Sequence, residues 1–163
     1  MSILLLNPRK KRKPVSIIPY NSTTWAGWVK SLCTSDSTGM LITANGSAWA
    51  DFYIPTNAKV NTSYGLLYNV VSTTITLGIG TMNGEAFVGG TIPNVVGNNK
   101  IVISSSATIT TNRFGMGLMS QSEPSGNTIK INNIRLYELP VGTLIAWNFN
   151  NLLGDQLNSK YPF

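Results

Sequence analysis

A chain of 163 residues is long enough for one well-buried domain and too short for two comfortable ones. With 42% apolar and 11% charged residues it is no disordered polymer, and with one cysteine and no histidine it excludes an intrachain disulfide and a zinc site of the usual kind. The formal charge of +6 is concentrated, because Arg9, Lys10, Lys11, Arg12 and Lys13 supply five of the twelve cations and leave the remainder nearly neutral.

Residues 1–19 read as an extended basic arm. Pro8, Pro14 and Pro19 each disfavour helix at the residue before them. Ile3, Leu4, Leu5 and Leu6 on one side of the cations, and Val15, Ile17 and Ile18 on the other, form two apolar pegs. A solvated tail gains nothing from four consecutive large apolar residues, so docking of the arm onto another surface is expected. The apolar residues precede the charges, the reverse of the order in a secretory signal. No stretch approaches the roughly 20 apolar residues of a membrane span. The expectation is a soluble protein made in the cytoplasm, with no membrane partner.

From Tyr20 onward the pattern is that of strands. Residues 69–79 are rich in β-branched side chains and alternate at Ile75, Leu77 and Ile79. Residues 100–109 repeat the pattern with Ile101, Ile103, Ala107 and Ile109. Residues 113–119 place Phe114, Met116 and Leu118 on one face and Gly115 and Gly117 on the other. Residues 128–139 alternate at Ile129 and Ile131 and then at Ile134 and Leu136, so the pair Asn132-Asn133 shifts the phase and predicts a bulge. Turn signals separate the runs: Asn83-Gly84, Gly89-Gly90, Gly97-Asn98-Asn99 and Pro124-Ser125-Gly126-Asn127. Thr, Ser and Asn contribute 17, 16 and 18 residues, which suits many short strands joined by turns. The architecture predicted is an all-β sandwich of jelly-roll type over residues 20–140.

The last segment, 141–163, differs. Leu153, Leu157 and Tyr161 lie at i, i+4 and i+8, one face of a short helix before Pro162. Gly154 weakens the helix, leaving an extended tail as the alternative. Either way its apolar face is expected to pack on the sandwich or on a neighbouring subunit.

The stretch 62–139 has a recognisable cadence. It opens on Ser63-Tyr64-Gly65-Leu66-Leu67-Tyr68-Asn69-Val70, passes through Ile79-Gly80-Thr81-Met82-Asn83-Gly84 and Ile101-Val102-Ile103-Ser104, and closes on Ile129-Lys130-Ile131-Asn132-Asn133-Ile134-Arg135-Leu136-Tyr137-Glu138. It resembles the carbohydrate-binding-module-like jelly rolls, whose last strand carries an Asn pair followed by an apolar-x-Leu-x-Glu run. The ends, with Asn7-Pro8-Arg9-Lys10-Lys11-Arg12-Lys13 before and Phe149-Asn150-Asn151-Leu152 after, look like those of tailed-bacteriophage virion proteins that carry such jelly rolls. That resemblance implies a capsid decoration, head-fibre or appendage protein. It would reside in the virion after synthesis in the host cytoplasm, with other virion proteins as partners and a homo-oligomer as its state.

Members that bind glycans stack sugars on exposed aromatics. The candidates here are Trp25, Trp28, Trp49 and Tyr53, with Asn45 and Asp51 nearby, although all precede the segment that carries the resemblance. Trp25 and Trp28 equally suit core or interface packing. The family's structural calcium finds no carboxylate cluster in the sequence. Catalysis is not expected. The chain lacks histidine, its six carboxylates are scattered, and Gly78-Ile79-Gly80 lacks the rest of a P-loop. Cys33, in a Ser/Thr-rich turn, reads as a small buried hydrophobe. No cofactor is expected.

The arm admits three roles. As a nucleic-acid contact, Arg9, Lys10, Lys11, Arg12 and Lys13 would give a salt slope of roughly −4.5 on duplex, a non-specific interaction. As a docking element, the cations steer association with an acidic protein surface while Leu4, Leu5 and Leu6 supply affinity. The third and least favoured reading is a solvated tail. The primary expectation is thus a non-enzymatic virion structural protein anchored by its arm. A module attaching to surface glycans is the first alternative, and the single-jelly-roll capsid protein of a small virus the second.

Overall fold

Side chains that alternate between apolar and polar need a second sheet to cover the apolar face. The computed structural model describes residues 15–18, 25–82 and 86–139, and there the chain forms two five-stranded sheets. The first sheet runs β1 (Val29–Ser31), β4 (Asp51–Pro55), β9 (Arg113–Leu118), β6 (Ile79–Thr81) and β7 (Gly90–Ile92). The second runs β2 (Cys33–Asp36), β3 (Gly39–Thr43), β10 (Thr128–Glu138), β5 (Ser63–Thr73) and β8 (Gly97–Ser104). Every neighbouring pair is antiparallel. The path crosses between sheets at every step except β2 to β3 and β6 to β7. This is the expected jelly-roll β-sandwich, and no helix occurs among the described residues.

The core lies between the sheets. Phe52, Met116, Phe114 and Ile79 of the first meet Tyr64, Leu66, Tyr68, Ile131 and Leu136 of the second, all fully buried. Aromatic rings group at two places: Trp25, Trp28 and Phe52 at one, Tyr64, Phe87 and Phe114 at the other, in tilted or edge-to-face contacts.

Strands β9 and β10 match the pattern read from sequence. In β10 the pairing with β5 slips between Asn132 and Arg135, and Asn133 adopts a left-handed φ of 55°. The slip restores Ile134 and Leu136 to the core face after Ile129 and Ile131, as a bulge does. Two other runs differ from expectation. The run 69–79 is not one strand, since β5 ends at Thr73 and β6 begins at Ile79. The intervening Thr76 and Leu77 amides donate to the Glu123 carboxylate instead of a strand, which leaves Leu77 half exposed. The run 100–109 ends at Ser104, and the expected turn Gly97-Asn98-Asn99 is the start of β8, paired with Val70, Asn69 and Tyr68. Asn99 side-chain bonds to the Val95 and Gly97 carbonyls tighten the entry to that strand. Cys33 lies in β2 rather than in a turn.

The second peg of the arm belongs to the body. The Ile17 amide donates to the Leu136 carbonyl at 2.8 Å, the Leu136 amide donates to the Ser16 hydroxyl at 3.1 Å, and Ile18 is buried in the core. Ser16 and Ile17 take up β10 backbone groups beyond the point where β3 stops pairing at Ile131. Ile17 and Ile18 are thus packed on this sandwich, while Val15 of the same peg is exposed. Arg9, Lys10, Lys11, Arg12, Lys13, Leu4, Leu5 and Leu6, and the helical or extended reading of 141–163, lie outside the described residues.

Candidate functional site

On the outer face of the first sheet the alternation that fills the core leaves a gap. With Phe52 and Ile54 inward, β4 turns Asp51 and Tyr53 outward. With Phe114, Met116 and Leu118 inward, β9 turns Arg113, Gly115 and Gly117 outward, so beyond Arg113 it offers no side chain on that face. In β6, Ile79 and Thr81 face inward and Gly80 outward. The register pairs Asp51 with Gly117 and Gly117 with Gly80, so two glycines and a carboxylate form one row across three strands.

That row is the floor of an open groove of about 440 Å³. Trp49, half exposed, stands at its edge, with Asp51, Thr81, Met82 and Met119 along the walls. A Cβ on residue 80 would stand 2.1 Å from the Met119 sulfur and 2.6 Å from the Gly90 carbonyl, and one on residue 117 would stand 2.7 Å from the Ala50 carbonyl. A side chain at either position would displace the walls. The floor is thus backbone at Gly117, while the flexible thioethers of Met119 and Met82 lie over Gly80 and Gly115. Such sites suit a flat ligand held by one aromatic and a few polar groups.

The sequence candidates separate here. Trp25 and Trp28 are buried, packed against each other and Phe52, and the Trp25 indole N–H donates to the Asp36 carbonyl at 3.1 Å. They are core, not platform, because their rings fill the space between the sheets. Tyr53 lies on the outer face one row from the groove, under the Arg113 guanidinium at 4.0 Å, a cation–π contact that covers its ring. Trp49 alone of the four presents an open ring beside the groove. Asn45 has a local role, its side-chain oxygen accepting the Ser47 and Ala48 amides in the turn that delivers Trp49. Met82, Met119 and Gly80 were missed. The available signal was a second x-Gly-x alternation, Gly78-Ile79-Gly80, echoing Gly115-Met116-Gly117.

Other ionisable groups among the described residues are bound into the framework. Asp36 accepts from Lys130 at 2.8 Å and from the Thr38 hydroxyl and amide, which hold its carboxyl far below the usual range. Glu138 pairs with Lys59 at 2.7 Å on the surface. Glu123 is fully buried; burial alone would raise its pKa, but bonds from Asn127, Thr76 and Leu77 outweigh that and lower it. Burial, followed by the charge of Asp51, pushes the Cys33 thiol up to about 12. No group of three or more His, Cys, Asp or Glu able to hold a metal occurs among the described residues.

No protein-family model matches the chain. No curated protein matches it either. Among solved structures, it is similar to the N-terminal cellulose-binding domain of β-1,4-glucanase C from Cellulomonas fimi, with a TM-score of 0.49 and 16% identity over 73% of this chain and 93% of that one. It is likewise similar to a family 29 carbohydrate-binding module from Piromyces equi, with a TM-score of 0.44 and 8% identity over 71% and 82%. A third likeness is to the enzymatically active domain of bacteriophage CBA120 tailspike protein 4, with a TM-score of 0.49 and 14% identity, covering 77% of this chain and 22% of that one.

Proposed function

We propose that the sandwich is a non-catalytic glycan-binding module whose ligand lies in the glycine-floored groove of the first sheet. The observation that carries this reading is the half-exposed Trp49 ring beside a groove whose floor is the Gly117 backbone and the flexible Met119 thioether. A pyranose presents C–H groups on its faces and hydroxyls around its edge. The indole covers a face, the low floor and the adaptable Met119 thioether admit the ring's thickness, and Asp51 offers an acceptor for edge hydroxyls. Glycoside hydrolysis uses a pair of carboxylates about the scissile bond. Asp51 is the one carboxylate lining the groove among the described residues, which supports binding without turnover.

A glycan array followed by titration of intrinsic fluorescence tests this. Binding with a fluorescence change that disappears in Trp49→Ala is the expected result. No binding to any neutral or charged oligosaccharide, or binding unaffected by Trp49→Ala, overturns it.

A virion role would place this module on a particle as a displayed domain, with Arg9, Lys10, Lys11, Arg12 and Lys13 as the anchor; its support is the sequence of the two ends. A truncation that tests anchoring should stop at residue 14, because Ser16, Ile17 and Ile18 are built into β10 and the core.

A further inference from the structure

The outer face of the second sheet is buried as though it were interior. Antiparallel partners share a face, so Leu67 of β5, opposite Lys100 and Arg135, points away from the core, and Gly65 opposite Tyr137 and Val102 does the same. Continuing the parity, Leu139 follows Tyr137 on this side, its methyl 3.4 Å from where a Cβ of Gly65 would stand. Yet Leu67 is 1% exposed, Tyr137 6% and Leu139 3%, and none of them belongs to the cluster between the sheets. Among the described residues no strand lies over this face. A leucine and a tyrosine ring on an uncovered sheet keep far more of their surface in water.

We infer that this face is a docking surface for the chain's own C-terminal segment, residues 140–163. The chain leaves β10 on the buried side of that face, at Leu139, with 24 residues still to come. Those residues are strongly apolar, with Val141, Leu144, Ile145, Trp147 and Phe149 directly after the exit and only Asp155 and Lys160 charged. The other candidate, the arm, carries five adjacent cations and is the poorer match for an apolar face. The second sheet is thus the covered face of the sandwich and the first sheet the open one.

Hydroxyl-radical footprinting of the full chain, with oxidation of Tyr137 read by peptide mass spectrometry, tests the assignment. Tyr137 is protected in the intact protein, and the double substitution Ile145→Asp with Trp147→Asp raises its oxidation at least about tenfold while the core residue Phe114 stays protected. The complementary variant, Leu67→Asp, removes amide-exchange protection from residues 141–149. Ready oxidation of Tyr137 in the intact chain overturns the inference. So does protection that survives the tail variant or yields instead to Leu5→Asp in the arm. Protection that falls on dilution together with a halving of mass by light scattering assigns the face to a second copy and overturns it equally.

Discussion

Trp25 and Trp28 meet edge to face, their ring centroids 5.7 Å apart and their planes at 67°. Both rings also pack on Phe52, so three aromatics close one end of the sandwich. Trp49, 21 residues beyond Trp28 in the chain, stands half in solvent beside the groove.

The two environments predict opposite mutational signatures. Trp25→Ala removes a buried indole and its bond to the Asp36 carbonyl, and should cost about 3–5 kcal/mol in urea unfolding. Trp49→Ala should leave the unfolding midpoint within about 0.5 kcal/mol of wild type. Its effect is reserved for glycan affinity, which should fall at least about tenfold.

The glycine floor makes a second prediction. A methyl at residue 117 meets the Ala50 carbonyl and the Asp51 Cβ, each at 2.7 Å, and both are part of or adjoin β4. Gly117→Ala should therefore destabilise by about 1–3 kcal/mol, as overpacking does. It should also weaken glycan binding, because the methyl rises into the groove. Calorimetric unfolding and the fluorescence titration read the two effects separately.

Glu123 ties two distant loops. Its carboxylate accepts the Thr76 amide at 2.8 Å, the Leu77 amide at 2.6 Å and the Asn127 side chain at 2.7 Å. Glu123→Ala leaves those donors without an acceptor and should cost about 2–3 kcal/mol. Folded Glu123 has a lowered pKa, so the unfolded chain takes up its proton first as the solution is acidified. The stabilisation from this group is present at neutral pH and is lost as pH falls below the ordinary glutamate value of about 4.3. Asp36, also lowered, adds to the loss in the same direction. Urea midpoints between neutral and acid pH should fall in wild type and fall less steeply in Glu123→Ala.

Cys33 should be inert in the folded protein. Its Sγ lies 3.2 Å from the Ser31 carbonyl and 3.1 Å from that of Asp51, and burial holds the thiol protonated, with a pKa of about 12. Only the thiolate reacts with iodoacetamide. Alkylation at mildly alkaline pH should be negligible in buffer and rapid in urea; equal rates in both would show that β2 opens freely.

The strand pattern was legible where it is local. Residues 113–119 and 128–139 alternate with a period of two, and that alone places Phe114, Met116, Ile129 and Ile131 in the core. The bulge at Asn132-Asn133 was legible for the same reason, as a break in phase. The break after Thr73 was not, because the group that ends the strand is Glu123, 47 residues away along the chain from Thr76. Residue type likewise could not separate Trp25 and Trp28 from Trp49, since an indole suits a core and a binding face equally well.

By itself, then, the sequence determined the all-β class, the placement of charge in residues 9–13 and the inward side of the most regular strands, all properties that depend on neighbours along the chain. Which outward-pointing residues are exposed and which are buried emerges from the packing of remote strands. Gly117 becomes a floor because β4 and β6 flank it with Asp51 and Gly80, and Leu67 is buried although its own strand points it away from the core. Both outcomes depend on strands that are remote in sequence and adjacent in space, and no period read along one strand contains that pairing.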